Sequence, residues 1–430
     1  MNFQGSCDNI SFSSPSVAFG LIQRQSTIVT AMAAAEPQLF YQNLGAYASS
    51  WQDVKIYCSN PSKPYSVFSD ESLLAHVEFR PMFLSIHVRN HQNKPHVHYV
   101  PQHLSQWTSH LLQSPVDVFW GSCSLPNSRG FVSLGPGVCY EWEVLRKAKY
   151  VILEVNPHIP YAFGSTLFHI DRADVLLDSQ ILLPSIPTAV PSVEDRKIAS
   201  WIGELVADGS TLQLGIGAIP NALVEVLATK KELGVHTEMI NDAIYKLAEK
   251  GVITGTKKTL WAEKMIGSFA YGSKELYQFI HHNPMVELHP SSLVNDVKTI
   301  ARNHRMVSIN SAVEVDITGQ VCSESLGHLE LSGVGGSSET HIGAQKSRHG
   351  RGLIALHATT KNGESKIVDQ LQTGGKVSIS RNDVDTVVTE FGVAVLKGKT
   401  VCERAKGLIS ISHPDHRESL LFHAKKFGYI

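Results

Sequence analysis

The sequence predicts an α/β protein made of two open α/β domains, and three observations carry that expectation. A strand, a turn of small residues ending in proline, and a helix occur twice: at Ser26 to Phe40, through Ala33-Ala34-Ala35-Glu36-Pro37, and at Ser210 to Leu227, through Gly215-Ile216-Gly217-Ala218-Ile219-Pro220. Prolines at 184, 187 and 191 sit between the two copies, in a stretch that neither a helix nor a central strand tolerates. The length, 430 residues, exceeds one ordinary core at about 150 residues per domain. The expected domains are therefore 1–190 and 191–430, each with a parallel-rich sheet, and the active site is expected in the cleft between them, where such folds bind ligands.

The second copy carries the chemistry. Apolar residues from Thr211 lead into the glycine turn, and leucines and valines at helical spacing follow, so a strand delivers a helix N-terminus. Gly215 and Gly217 let a ligand approach the backbone, and the helix dipole favours anionic oxygen there. The turn lacks the lysine of a P-loop and puts proline where a third glycine would complete a dinucleotide fingerprint, so a purely structural corner is an equally simple reading. Further on, Gly234 to Met239 is an apolar segment containing Glu238, and Asn241-Asp242 can cap the next helix. Glu238 is either a capping or surface glutamate or a nucleophile.

Composition excludes several classes. A formal charge of -1 with 43% hydrophobic and 18% charged residues describes a globular chain with no basic field for nucleic acid. Six cysteines, at 7, 58, 123, 139, 322 and 402, form no CxxC pair, so they are expected reduced and buried rather than in a disulfide framework. No apolar run reaches membrane-spanning length and the start of the chain has no signal-like segment, so a cytoplasmic location with no membrane partner is expected. Residues 1 to about 20 read as a polar lead-in. The histidines at 87, 91, 96, 98 and 103 raise a metal site, with His96 and His98 on one face of a strand. No second pair or carboxylate accompanies them, and a polar loop is the reading taken.

Leu214 to Leu223 (LGIGAIPNAL) followed by His236 to Asp242 (HTEMIND) resembles the acetyl-CoA hydrolase and CoA-transferase family, in particular its 4-hydroxybutyrate and butyrate CoA-transferases. Other stretches share the resemblance: Tyr99-Val100-Pro101, Gly130 to Gly135, Glu154-Val155-Asn156, Met306 to Gln320 read as an alternating strand pair, Thr389 to Gly392, and Ile411 to Arg417. It spans roughly residues 26 to 423.

The resemblance implies two domains of the CoA-transferase (NagB/RpiA-like) type and an enzyme that moves CoA between an acyl-CoA and a small carboxylate such as acetate. It implies no metal and no bound cofactor, CoA being a substrate, and a homodimer or larger homo-oligomer. Glu238 then matches the nucleophile, forming an acyl-glutamyl anhydride and a glutamyl-CoA thioester. Gly215, Ile216, Gly217, Ala218 and Ile219 supply backbone donors to CoA or an oxyanion. A second glycine loop including Gly335 and Gly336 covers CoA, with Asn295 and Lys361 as further contacts; a solvated turn lysine remains the alternative for Lys361. An acyl-CoA hydrolase using the same glutamate, and a non-catalytic CoA-ester binder, are the competing readings. One departure stands out. After Gly336 the family usually has Gln or Ser, one residue, then Asp-Phe, whereas here Ser337-Ser338-Glu339-Thr340 follows, and loss of the aromatic is expected to reshape the acyl or pantetheine pocket.

Overall fold

The computed structural model describes residues 10–430 except 74 and 93. The chain divides into two compact units, residues 1–186 with 266–294, and residues 187–265 with 295–430. The segment Ile266–Val294, expected within the C-terminal domain, thus belongs to the first unit. Its contacts show why: Val286–Leu288 pairs in parallel with Phe163–Gly164, and the Ser291 hydroxyl lies 2.9 and 2.8 Å from the carbonyls of Leu104 and Cys139.

In the first unit the strands are β1 (Thr27–Thr30), β2 (Val54–Cys58), β3 (Val77–Pro81), β4 (Val118–Cys123), β5 (Tyr150–Val155) and β6 (Val175–Asp178). They form one parallel sheet in the order β3-β2-β1-β4-β5-β6. β4 is buried at every position, as a central parallel strand covered on both faces should be. After β1, the small residues Ala33–Ala35 make a 3₁₀ turn, and α1 (Gln38–Tyr47) follows. Of the expected polar lead-in, residues 1–9 lie outside the described residues. The rest departs from the expectation: Pro15–Gly20 is helical, and Phe19, 2% exposed, stacks on Tyr47 with ring centroids 4.4 Å apart. The apolar Val17-Ala18-Phe19 run outweighs its polar flanks. His96 and His98 lie in a loop in which Val97 alone bridges to β3, so they share no strand face.

In the second unit, α2 (Val193–Leu205) starts in a capping box between Ser192 and Asp195. Then come β7 (Thr211–Leu214), α3 (Ala218–Leu227), β8 (Gly234–His236), α4 (Asp242–Glu249), β9 (Met306–Ser311), α5 (Ser337–Lys346), β10 (Arg351–Ala355), β11 (Thr386–Thr389), β12 (Gly392–Val395) and α6 (Val401–Ile411). These strands lie in the order β12-β11-β10-β9-β7-β8, parallel except for the β11–β12 hairpin. The order reverses at β7, whose neighbours are β8 and β9, and the glycine turn leaves its C-terminal end. Open sheets take ligands at such a point. Met306 to Gln320 does not form a strand pair. β9 stays in the main sheet, while Glu314–Asp316 pairs antiparallel with Val321–Cys322, because the Asp316 carboxylate accepts from the amides of Thr318 and Gln320 and closes a turn there.

Buried carboxylates fasten the first unit. Glu154 on β5, 1% exposed, accepts from the amides of Leu39 (3.0 Å) and Phe40 (2.9 Å) at the start of α1. Glu141, fully buried, accepts from Met32 N before the 3₁₀ turn and from Tyr140 N. Burial pushes Glu154 up to about 8 and Glu141 up to about 7, against the lowering effect of those amides. A carboxyl whose folded pKa lies above its unfolded one gives stability that is full below about 4.5 and is lost as pH rises through the folded value. Denaturant unfolding should therefore show stability falling between pH 5 and pH 9, by on the order of a few kcal/mol for Glu154. Glu154→Gln should flatten that slope, and an unchanged slope in the variant would contradict the assignment.

Candidate active site

Glu238 follows β8 and stands two residues beyond its end, before the short strand Met239–Ile240. Asn241 then caps α4, accepting from Ile244 N at 3.2 Å. The same side chain donates to the Gly215 carbonyl at 2.7 Å, which ties the glycine turn to the glutamate segment. The turn itself ends in Gly217 with φ +118°, a conformation that side-chain-bearing residues rarely adopt, and Gly217 caps α3 without a side-chain acceptor. The first-turn amides of α3 therefore have no side-chain partner, and Ile216 beside them is 54% exposed.

The carboxylate meets the second glycine loop. Gly336 N–H donates to Glu238 Oε2 at 2.8 Å, and Gly336 is the residue that opens α5. A Cβ at Gly336 would collide with Glu238 Oε2 and Asn295 Nδ2, so any larger residue there must displace those two side-chain ends. Asn295 is fully buried, and neither its amide nitrogen nor its oxygen has a hydrogen bond of good geometry, although the amide lies close enough to the carboxylate to lower its pKa.

Glu238 is half-buried, yet desolvation dominates its ionisation and pushes it up to about 7. The Gly336 amide opposes the shift, the nearby Glu339 charge adds to it, and the Asn295 amide opposes it. The group is thus close to half-ionised near neutrality, a state suited to a nucleophile or base.

Of the residues singled out from sequence, Glu238, Asn295 and Gly336 come together, with Gly335 as the neighbour of Gly336. The Gly215 carbonyl is tied to the glutamate segment through Asn241, while none of the described hydrogen bonds joins Ile216, Gly217, Ala218 or Ile219 to Glu238. Lys361 stands exposed on a separate turn closed by Thr360 and Glu364 (2.8 Å), and none of the described hydrogen bonds joins it to Glu238. Sequence reasoning missed Glu339 as an electrostatic neighbour and Asn241 as the link to the glycine turn. The capping position of Asn241 was a usable signal for the latter, because a capping side chain also has a free N–H₂ to give. Among the described residues, no group of His, Cys, Asp and Glu is arranged to hold a metal ion, and no helix is long and apolar enough to cross a membrane.

Two family profiles match this chain: the acetyl-CoA hydrolase/transferase N-terminal domain over residues 10–190 and the C-terminal domain of the same family over residues 272–424. The chain belongs to the acetyl-CoA hydrolase/transferase family. Within it, the chain is 41% identical over 363 residues to a 4-hydroxybutyrate coenzyme A transferase of Clostridium kluyveri, covering 84% of each protein. It is 36% identical to a succinyl-CoA:cyclohexane-1-carboxylate CoA transferase of Geobacter metallireducens, covering 97% of this chain and 95% of that one. The crystal structure of RipA from Yersinia pestis superposes with a TM-score of 0.92 at 31% identity, over 97% of this chain and 98% of RipA.

For a member of the hydrolase/transferase family the Gly336 position gives a direct test. The two atoms that a Cβ would strike are ends of side chains, so Gly336→Ala should fold, with a melting temperature within a few degrees of wild type. The displaced carboxylate should lower acyl-CoA turnover by about 100-fold, because near-attack geometry tolerates little movement. Melting and turnover measured together check this, and near-normal turnover would mean that the contact is incidental.

Proposed function

We propose that this protein is a CoA-transferase that moves coenzyme A between an acyl-CoA and a small carboxylate, with Glu238 as the covalent nucleophile. The observation that carries the proposal is the Glu238 carboxylate held against the Gly336 amide with the buried Asn295 amide beside it. The similarity to 4-hydroxybutyrate CoA transferase supports a short-chain acid of the 4-hydroxybutyrate or butyrate type, with acetate as the partner acid.

In the first step a Glu238 oxygen attacks the thioester carbonyl, and the CoA thiolate leaves as the acyl-glutamyl anhydride forms. The thiolate then attacks the glutamyl carbonyl, releasing the acyl group as free acid and leaving a glutamyl-CoA thioester. An incoming carboxylate attacks that thioester carbonyl and reverses the sequence, so each turnover balances without a cofactor or water. When the thiolate attacks the glutamyl carbonyl, negative charge develops on the Glu238 oxygen. Gly336 N–H already points at that oxygen and Asn295 Nδ2 lies beside it, so the donors need little reorganisation as the charge builds. The amides at Gly215 to Ile219 serve the CoA moiety or the oxyanion of the acyl carbonyl, and Lys361 a CoA contact. A cytoplasmic homo-oligomer is the setting proposed.

Borohydride added after acyl-CoA should reduce the thioester and change the mass of only the peptide containing His236 to Met239. Glu238→Ala should bind acyl-CoA but lose the adduct and all label exchange between acyl-CoA and acetate. An adduct on another peptide, or exchange surviving in Glu238→Ala, would overturn the mechanism. Steady hydrolysis without label exchange in the wild type would assign the hydrolase reaction.

A further inference from the structure

Helix α5 is unusual in that its buried first turn is polar: Ser338, Glu339 and Thr340 are all less than 9% exposed. Buried hydroxyls and carbonyls need partners, and here a network from the sheet supplies them. Thr340 Oγ1 donates to the Ser337 carbonyl (3.2 Å) and accepts from Asn310 Nδ2 (3.2 Å), which also reaches the Ser337 carbonyl at 3.3 Å. Asn310 Nδ2 donates to Ser308 Oγ at 2.9 Å, and the Ser308 hydroxyl donates to Gln213 Oε1 at 2.6 Å while lying 3.1 Å from Thr340 Oγ1. Gln213 Nε2 completes the ring to Asn310 Oδ1 at 3.3 Å, and its Oε1 also accepts from Ile309 N.

The members come from three places that matter. Gln213 lies on β7 just before the glycine turn, Ser308 and Asn310 lie on β9 across the point where the sheet order reverses, and Thr340 lies on α5. The network holds the Ser337 carbonyl, and Thr340 N–H holds the Gly336 carbonyl at 2.9 Å. Those two peptide groups directly follow the amide that binds Glu238, and fixing them anchors the C-terminal side of Gly336 and so limits how far that amide can move. We propose that Thr340, Asn310, Ser308 and Gln213 are positioning residues that aim the Gly336 amide at Glu238 and at the oxyanion formed on it. The Thr340 hydroxyl faces β9, where it meets Asn310 and Ser308.

This rests on the CoA-transfer reading, and its test is separable from that reading. Thr340→Val keeps the volume and removes only the hydroxyl. Expected are a fall of about tenfold in kcat with KM for acyl-CoA within twofold, because the donor acts on charge that develops after binding. The acid limb of the kcat/KM profile should also move to higher pH, since the Gly336 bond lowers the Glu238 pKa and Glu339, the charged group acting on it, is untouched. Thr340→Ser should restore both. If Thr340→Val proves unstable, Ser308→Ala, which removes another hydroxyl of the ring without adding bulk, is read in the same way. Folded variants with wild-type kcat and an unmoved acid limb would overturn the proposal, while absence of any adduct on Glu238 in the wild type would instead overturn the function from which it starts.

Discussion

In the proposed mechanism the hydrogen bond from Gly336 N–H to Glu238 Oε2 is the interaction on which the chemistry depends. A carboxylate taken out of water resists ionisation, and without a directed donor Glu238 would be held protonated and inert. The Gly336 amide, helped by the Asn295 amide, partly offsets that cost and leaves the group pushed up to about 7. A stronger set of donors would stabilise the anion too well to attack. The same amide can stabilise charge on the same oxygen later in the reaction, so a single peptide orientation serves both the resting state and the transition state.

Comparison with the carboxylates of the first unit sharpens the point. Glu36, Glu141 and Glu154 are all buried and all raised by desolvation, as Glu238 is. Each is enclosed by donors from its own surroundings: Glu36 by Ser62 N, Ser62 Oγ and Tyr65 OH, Glu141 by two amides, and Glu154 by two amides at the start of α1. Their oxygens are spent on holding turns. Glu238 keeps some exposure, with one backbone amide and the Asn295 side-chain amide beside it. A raised pKa alone does not separate structural from chemical carboxylates; the open coordination around the oxygen does.

Much of this was legible in the sequence because it is local. The repeated strand-turn-helix units gave away the fold class, since small residues and proline between apolar runs have few other solutions. Long word-like motifs singled out Glu238 and Gly336, which the fold brings within a hydrogen bond of each other, and the capping position of Asn241 was readable. The parts that were not legible depend on distant residues meeting. Nothing in Met306 to Gln320 says that β9 and Glu314–Asp316 enter different sheets, because alternation specifies a strand and not its partner. Likewise Ile266–Val294 follows the second unit in sequence but packs with the first. The network of Gln213, Ser308, Asn310 and Thr340 spans over a hundred positions; its one visible trace was Gln213, a polar residue between Leu212 and Leu214.

The central claim is that ionisation of Glu238 limits attack on the thioester, and a single-turnover measurement tests it most directly. Release of the acyl group as free acid, with CoA retained on Glu238, would be followed when excess enzyme meets acyl-CoA with no acceptor acid, from pH 5 to pH 9. The rate is expected to rise about tenfold per pH unit on the acid side and level off above about 7, in step with the group's ionisation. A rate independent of pH across that range, in enzyme that still labels Glu238, would contradict the claim.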